Sequence, residues 1–209
     1  MSRKIVFGFT VIFMISVLIS CNALKDMSKM ITNLQKCQFK LEDVSGFKLA
    51  GIDIAKIKSL KDFNMLDGAR LLQTFNKKQV PVSFNLNVAA MNPNDGTSGT
   101  SKSAVTLQRL DWTLLIDGVQ TIAGAVNKTI ELPGANQKTI IPIEMGLDLY
   151  QFFGNKGYES IINTALAIGG VNGSASKLTL NAKPTISTPF GPMVYPGEIA
   201  IIDKEFRAN

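Results

Sequence analysis

The feature that most constrains this fold is an alternating segment that ends in an Asn-Pro-Asn turn. Between Pro81 and Ala90, every second side chain is apolar, and the intervening positions are mostly serine and asparagine. Such a period of two predicts a β-strand with one buried face. The segment then meets Asn92, Pro93 and Asn94, where proline fixes φ and removes a hydrogen-bond donor, while asparagine favours turns. The sequence therefore predicts a half-buried strand that is closed by this turn.

The amino terminus carries a second strong pattern, in which Arg3 and Lys4 precede an apolar run over residues 5–19. As a helix this run reaches about 22 Å, short of the roughly 30 Å hydrocarbon core of a bilayer. A cleaved secretory signal therefore fits better than a membrane span. The tetrapeptide Leu-Ile-Ser-Cys that ends at Cys21 resembles a bacterial lipobox. That resemblance implies removal of a signal peptide, 1–20, and acylation of Cys21 with chains such as palmitate. An uncleaved anchor and an ordinary signal peptide are the alternatives.

The predicted anchor places the chain in the bacterial cell envelope as a membrane-bound lipoprotein. Two or more acyl chains give stable anchoring, because each buried methylene contributes about 0.8 kcal/mol. Asn22, rather than an aspartate, follows the cysteine, so retention in the inner membrane is not signalled and the outer membrane is preferred. The periplasmic and cell-surface faces are both open to such a protein.

Composition excludes several classes of function. The 209 residues contain no histidine, the commonest general base and metal ligand. The sequence also has no Cys/His cluster, no Gly-x-Ser-x-Gly and no phosphate-binding loop followed by lysine. It therefore predicts no enzyme activity, no metal and no cofactor. The formal charge of +6 is scattered rather than gathered in a basic stripe, which argues against a nucleic-acid partner.

The rest of the chain predicts one domain of mainly β structure. Residues 21–36 are interpreted as a tether with a short amphipathic helix, and residues 37–209 as the domain. The helix is expected to pack on the domain, the alternative being that it lies on the membrane surface. Seven or eight short strands with hairpin signals predict an antiparallel β-sandwich, with two or three helical insertions. Helical periodicity interrupts the strands near 60–78 and near 147–168. In the first insertion, the expected buried side consists of Leu66, Ala69, Leu72 and Phe75.

Turn signals divide the first and last strands of the domain. Residues 37–44 and 47–54 are predicted to be two strands separated by a turn at Ser45 and Gly46. Near the carboxyl terminus, the Pro/Gly-rich residues 189–197 are predicted to be a turn between two strands.

Four single residues carry further expectations. Asp117 and Gly118 form a strong hairpin signal. Trp112, the only tryptophan, falls at a core position of the preceding strand. Pro142 indicates an edge strand or a bulge. If Cys21 is acylated, Cys37 has no partner in the chain and is expected to be an inert core thiol, the alternative being an intermolecular or reactive role.

The order of several short motifs resembles the late embryogenesis abundant type-2 family, whose core is the water-stress and hypersensitive-response (WHy) domain. The motifs are Asn-Pro-Asn at 92–94, Asp-Gly at 117–118, Gly124, and Leu-Pro-Gly at 132–134. The resemblance spans roughly residues 37–187 and is best over 82–149. It implies an immunoglobulin-like or fibronectin-III-like β-sandwich, and the lipobox makes the chain similar to the lipid-anchored bacterial branch. The family has no assigned catalytic residues, so the resemblance implies fold-defining turns only, at Asn92, Pro93, Asn94, Asp117, Gly118 and Gly124.

The family is associated with desiccation and stress response. The resemblance therefore implies a non-enzymatic, lipid-anchored envelope protein with a stress-protection or protein-interaction role. The alternative is a carrier or binder of a lipid or other apolar ligand in the cell envelope. Its pocket would be lined by Phe152, Phe153, Tyr158, Ile161 and Ile162. The same side chains would equally fill an ordinary core.

Overall fold

The computed structural model describes residues 27–55, 59–97, 104–170, 176–202 and 207–208, together with Lys25 and Ile57. The predicted signal peptide, 1–20, and the predicted lipidation position, Cys21, lie outside the described residues. Among the helices that are described, none is both long enough and apolar enough to cross a membrane.

The described part of the chain forms strands with four helices between or before them. The helices are α1 (27–36), α2 (Met65–Asn76), α3 (Leu149–Phe153) and α4 (Tyr158–Ile168), with 3-10 turns at Leu60–Asp62 and Gly154–Lys156. The strands are β1 (Gln38–Leu49), β2 (Ile52–Asp53), β3 (Pro81–Asn92), β4 (Val105–Ile116), β5 (Val119–Val126), β6 (Ile130–Leu132), β7 (Gln137–Asp148), β8 (Leu178–Thr188), β9 (Gly191–Val194), β10 (Ile199–Ile202) and β11 (Arg207–Ala208).

Two antiparallel sheets enclose one core. Sheet A has the order β11-β1-β3-β7, with β2 on β1. Sheet B has the order β10-β8-β4-β5, with β6 on β4 and β9 on β8. Side chains from both sheets form a single buried cluster. The predicted fold class, a mainly β antiparallel sandwich with helical insertions, is confirmed.

β3 lies at the centre of sheet A, as its alternation predicts. Val82, Phe84, Leu86 and Val88 are at most 4% exposed. β3 pairs along its whole length with β7. β7 forms one edge of the sheet, so Pro142 occupies the edge position expected of it.

The predicted turn at Ser45 and Gly46 is wrong. β1 is one strand, and it pairs with β3 on both sides of these residues. From Ser45 to Lys48, β1 advances three residues while its partner advances two, from Asn85 to Ser83, which defines a β-bulge. Gly46 has a φ of +62°, a value that glycine adopts readily. The glycine therefore marks a bulge within a strand instead of a turn between two strands.

The predicted buried side of α2 is wrong except at Phe75. Leu66 and Leu72 are 81% and 50% exposed, and Ala69 is exposed as well. Leu71 is fully buried instead, one turn before the half-buried Phe75. The helix carries two apolar stripes, and the stripe through Leu71 and Phe75 is the one that meets the core.

Two boundaries near the other helical and turn segments also differ from prediction. β7 continues to Asp148, so Leu147 belongs to the strand and the second helical insertion begins only at Leu149. The predicted turn at 189–197 contains the short strand β9, which pairs with β8. Both differences arise because strand pairing extends regular structure past the local turn and helix signals.

The sandwich has two distinct ends. The asparagine end is where β3 finishes at Asn92 and α1 packs. The helical end is where α2, α3 and α4 gather, with the ring of Phe75 5.3 Å from Tyr150 and 5.4 Å from Tyr158. β3 joins the two ends. Its 12 residues are separated by 11 steps of about 3.3 Å each, so the ends lie roughly 36 Å apart.

Candidate functional site

The Asn-Pro-Asn turn and the Leu-Pro-Gly turn meet at the asparagine end. The side-chain amide of Asn92 donates to the carbonyl of Leu132 at 2.9 Å. In return, the backbone N–H of Asn136 donates to the Asn92 carbonyl at 2.9 Å, and that of Ala135 donates to the Asn94 carbonyl at 3.2 Å. Asn92 and Asn94 are 0% and 1% exposed. Two motifs about 40 residues apart in sequence thus form one buried clamp.

Helix α1 joins the same network. The Asn94 Nδ2 atom donates to Asn92 Oδ1 at 2.5 Å and to the carbonyl of Asn33 at 3.0 Å. The Cys37 Sγ atom donates to that same carbonyl at 3.4 Å. Leu34, the next residue of the helix, is fully buried. α1 is therefore part of the packed domain, and a tether would have to end before it.

Cys37 has the properties of a core thiol. It is fully buried and free. Burial raises the pKa of its thiol from 9.0 to about 12, because the charged thiolate would lose its hydration. The thiolate is the reactive form of cysteine, so this position is a poor nucleophile and a poor redox site.

The predicted hairpin turn at Asp117 and Gly118 is present at the helical end. The two residues have φ values of +52° and +79°. The Asp117 carboxylate accepts a hydrogen bond from the Lys177 backbone N–H at 2.8 Å and one from Ser176 Oγ at 3.4 Å. This turn fastens the end of β4 to the start of β8. It lies at the opposite end from Asn92, so the turn residues singled out by sequence do not form one site.

Gly124 is not a turn residue, contrary to expectation. It lies within β5, directly across from Trp112 of β4. A Cβ atom on Gly124 would stand 2.5 Å from Cζ2 of the indole. The glycine is therefore required by the large side chain that lies across it. Trp112 is 8% exposed and serves the core position predicted for it.

The five residues of the predicted apolar pocket do lie together, at the helical end. Phe153, Ile161 and Ile162 are fully buried in the common core. Phe152 and Tyr158 are half-buried at its rim. The Phe152 and Phe153 rings are 6.5 Å apart.

A groove of about 210 Å³ lies at the asparagine end, between α1, the start of β4 and the end of β8. It is lined by Met30, Asn33, Ala104, Val105, Thr106, Ile186, Ser187 and Thr188.

Sequence reasoning missed two positions that organise the structure. The backbone carbonyl of Asn33 accepts a hydrogen bond from the Asn94 side chain, and nothing in the local sequence predicts that contact. Asp148 accepts hydrogen bonds from the backbone N–H groups of Val80 at 2.7 Å and Tyr150 at 2.9 Å. It thereby caps α3 and ties it to the segment that enters β3. An aspartate just before a helix is a capping signal that could have found this residue.

Charged groups are dispersed over the part of the chain that the structure describes. Within that part, no three Cys, Asp or Glu side chains come together as metal ligands. Glu42 accepts hydrogen bonds from Lys138 at 2.9 Å and pairs with Lys40 at 3.0 Å. These bonds, that from Lys138 first, lower the pKa of the Glu42 carboxyl. Exposed pairs of this kind serve solubility and orientation more than stability.

Comparison with known proteins adds little to this description. No family model and no curated protein matches the sequence. One similar solved structure is the solution structure of a candidate late embryogenesis abundant (LEA) protein, with a TM-score of 0.37 and 12% identity, covering 95% of this chain and 88% of that one. Another is the crystal structure of a protein from Archaeoglobus fulgidus, with a TM-score of 0.33 and 15% identity, covering 61% of this chain and 86% of that one. Likenesses this distant carry no argument for family or function.

Proposed function

We propose that this chain is a non-enzymatic lipoprotein of the bacterial cell envelope, with the outer membrane preferred. Acyl chains on Cys21 hold it to the membrane, and its β-sandwich works through a protein partner or by protecting envelope components under stress such as desiccation. The observation that carries the proposal is the spacing of anchor and domain. The lipobox ends at Cys21, and the packed domain already includes Asn33 and Leu34 of α1.

The chemistry of the described residues supports a role without catalysis. The sequence contains no histidine. Cys37, the thiol in the described domain, is buried and has a raised pKa. At the asparagine end, the buried side-chain amides of Asn92 and Asn94 donate to one another or to backbone carbonyls. Such a network fixes the fold and leaves no nucleophile, base or oxyanion donor aimed at a substrate.

Support for the stress-protection role comes from the motif resemblance. Asn92, Asn94 and Leu132 carry that resemblance, and they meet in one buried clamp. The resemblance therefore concerns residues that stabilise the fold of the domain. It does not identify the surface that a partner would recognise.

Intact mass spectrometry of full-length protein extracted from membranes tests the anchor. We expect a denatured mass equal to residues 21–209 plus two or three acyl chains. The Cys21→Ser variant is the matched control, and it should lose the acyl mass and the membrane association together. An unmodified chain that starts elsewhere would refute the proposal.

The stress role is tested separately in cells. A strain that lacks the protein should lose viability on drying, and the wild-type gene should restore it while the Cys21→Ser gene should not. Equal survival of all strains would leave the anchor standing and remove the stress role.

Binding of a lipid or other apolar ligand is the second candidate function. The groove between α1 and β8 favours it, since it joins apolar Met30 and Ile186 to polar groups. Its volume of about 210 Å³ is below the usual range for drug-sized ligands, so it would take one acyl segment or a small molecule. A native mass that carries an extra small molecule, absent after denaturation, would favour this function, and a clean native mass would exclude it.

A further inference from the structure

The hairpin between β8 and β9 presents an apolar tip to solvent. Phe190 is 62% exposed and Val194 is 53% exposed. Pro189 and Pro192 beside them are exposed as well. No residue from Thr188 to Val194 carries a charge. Exposed aromatic and aliphatic side chains grouped on a hairpin mark a surface that meets an apolar medium.

The tip also has few backbone donors that would need water. Pro189 and Pro192 have no amide hydrogen. The Phe190 N–H donates to Thr188 Oγ1 at 3.2 Å, and that hydroxyl donates to the Gly191 carbonyl at 2.7 Å. Polar groups satisfied in this way can enter a lipid interface at low cost, since unpaired donors there are strongly unfavourable.

The hairpin stands beside the helix that follows the predicted anchor. Thr188 at its base and Met30 of α1 line the same groove. Cys21 is four residues before Lys25, the first residue of this segment that the structure describes. Four residues reach at most about 14 Å, so acyl chains on Cys21 would hold this end of the sandwich close to the bilayer.

The charge of the neighbouring helix suits an anionic surface. Lys29 of α1 and Lys25, four residues before it, are both exposed. Residues 22–36 contain three lysines and one aspartate. Lysines at this position add electrostatic attraction to anionic headgroups.

We infer that the β8–β9 hairpin is a membrane-docking element. Phe190 and its flanking prolines enter the interface of an anionic bilayer while Lys25 and Lys29 face its headgroups. This inference rests on the proposed lipid anchor and adds an orientation to it. The asparagine end faces the membrane, and the helical end, roughly 36 Å away along β3, faces outward.

The rival element is the exposed apolar face of α2. Met65 and Leu66 are 89% and 81% exposed, more than Phe190. α2 lies at the helical end, beyond the reach of the short segment after Cys21 when the sandwich stands upright. An orientation test must therefore compare the two elements directly.

Quenching by brominated lipid makes this comparison. Acylated full-length protein is purified from membranes and reconstituted into vesicles of phosphatidylglycerol and phosphatidylcholine with brominated acyl chains. Phe190→Trp and Leu66→Trp are made in a Trp112→Phe background, and circular dichroism checks their folding. If that background does not fold, Trp112 is retained and its signal is measured in the parent protein.

We expect brominated lipid to reduce Trp fluorescence at least about twofold for Phe190→Trp and to leave that of Leu66→Trp unchanged. An acylated protein that floats with vesicles but shows no quenching in Phe190→Trp would overturn the docking inference alone. Equal or stronger quenching in Leu66→Trp would overturn it as well. A chain without acyl mass that fails to float would overturn both this inference and the proposed anchor.

Discussion

The side-chain amide of Asn94 donates to the backbone carbonyl of Asn33 at 3.0 Å, which joins the end of β3 to α1 across 61 residues of sequence. Both residues are buried, at 1% and 3% exposure. A carbonyl at this depth has no access to water, so removing the Asn94 amide leaves it only the weak Cys37 thiol as a donor.

Asn94→Ala should lower the free energy of unfolding by about 2 to 3 kcal/mol, because it removes two hydrogen bonds to buried acceptors and leaves a cavity in the network. Urea denaturation followed by circular dichroism measures this. Asn87→Ala, within β3, is the matched control, since the Asn87 amide donates to exposed Asp43 and Ser45. Its effect should stay below about 1 kcal/mol. Equal losses in the two variants would contradict a special role for the buried network.

Gly124→Ala should destabilise the protein by about 1 to 3 kcal/mol, since the new methyl group would overlap the Trp112 indole. Thermal unfolding and the emission wavelength of Trp112 report the effect. Gly146→Ala, also within a strand, is the control because its nearest neighbour would be the Val82 carbonyl at 3.9 Å. That substitution should be neutral or slightly stabilising. If the two alanine variants are equally stable, the close approach of the Trp112 indole is not the reason that position 124 requires glycine.

Leu71→Ala should cost about 2 to 5 kcal/mol, because it opens a cavity under α2. Leu72→Ala removes the same atoms from a side chain that is 50% exposed, so its cost should stay within about 1 kcal/mol. Chemical denaturation of the pair compares the two faces of one helix. The reverse ranking would restore the stripe through Leu66 and Leu72 as the buried one.

Asp148→Ala should lower stability by about 1 to 3 kcal/mol, since it leaves the Val80 and Tyr150 N–H groups without their acceptor. Hydrogen exchange at those two amides should rise in the variant. Asp53→Ala is a comparable change at an exposed carboxylate that accepts from Ala55 at 2.9 Å. It should leave exchange at the helical end unchanged, and a similar rise there would point to a global effect instead.

The raised pKa of Cys37 predicts a specific alkaline loss of stability. The thiol has a pKa near 9.0 in the unfolded chain and about 12 in the folded protein. Its contribution to the free energy of unfolding is therefore fully present below pH 9.0 and is lost as the pH rises towards about 12. Cys37→Ala lacks this group. Between these pH values, the free energy of unfolding of the wild type should therefore fall relative to that of Cys37→Ala. A difference that stays constant with pH would show that the thiol ionises equally in both states.

The parts of the fold that sequence predicts are those governed by local chemistry. The alternation of Val82, Phe84 and Leu86 predicts a strand because one face must be buried, and the structure agrees. Asp117 and Gly118 predict a hairpin because both must take positive φ, and they do. Edge placement of Pro142 follows from its missing donor.

The parts that sequence does not predict depend on contacts between distant segments. In α2, the predicted series Leu66, Ala69, Leu72 and Phe75 drifts around the helix by about 60° at each step, whereas Leu71 and Phe75 lie one turn apart on one face. Packing on the sheets buries the pair of Leu71 and Phe75. Gly46 has the same local signature in a bulge as in a turn, and the long pairing of β1 with β3 selects the bulge.

The candidate site shows the same division. Asn92 and Asn94 are conspicuous in the sequence, and their partners Asn33 and Leu132 lie 61 and 40 residues away. Leu132 belongs to a motif of its own, but nothing in the sequence marks Asn33. The exposed tip at Phe190 is hidden in what looks like an ordinary Pro/Gly turn.

The proline in β7 has a consequence for many copies of this domain on one surface. β7 is the outer strand of sheet A, and an open strand edge is a template on which another chain can add. Pro142 offers no donor to such a chain, and the neighbouring exposed Lys138 and Glu144 would bring charge into the junction. At the high local concentration that the proposed lipid anchor would create, copies of this domain would therefore stay separate and would not grow into fibres through this edge.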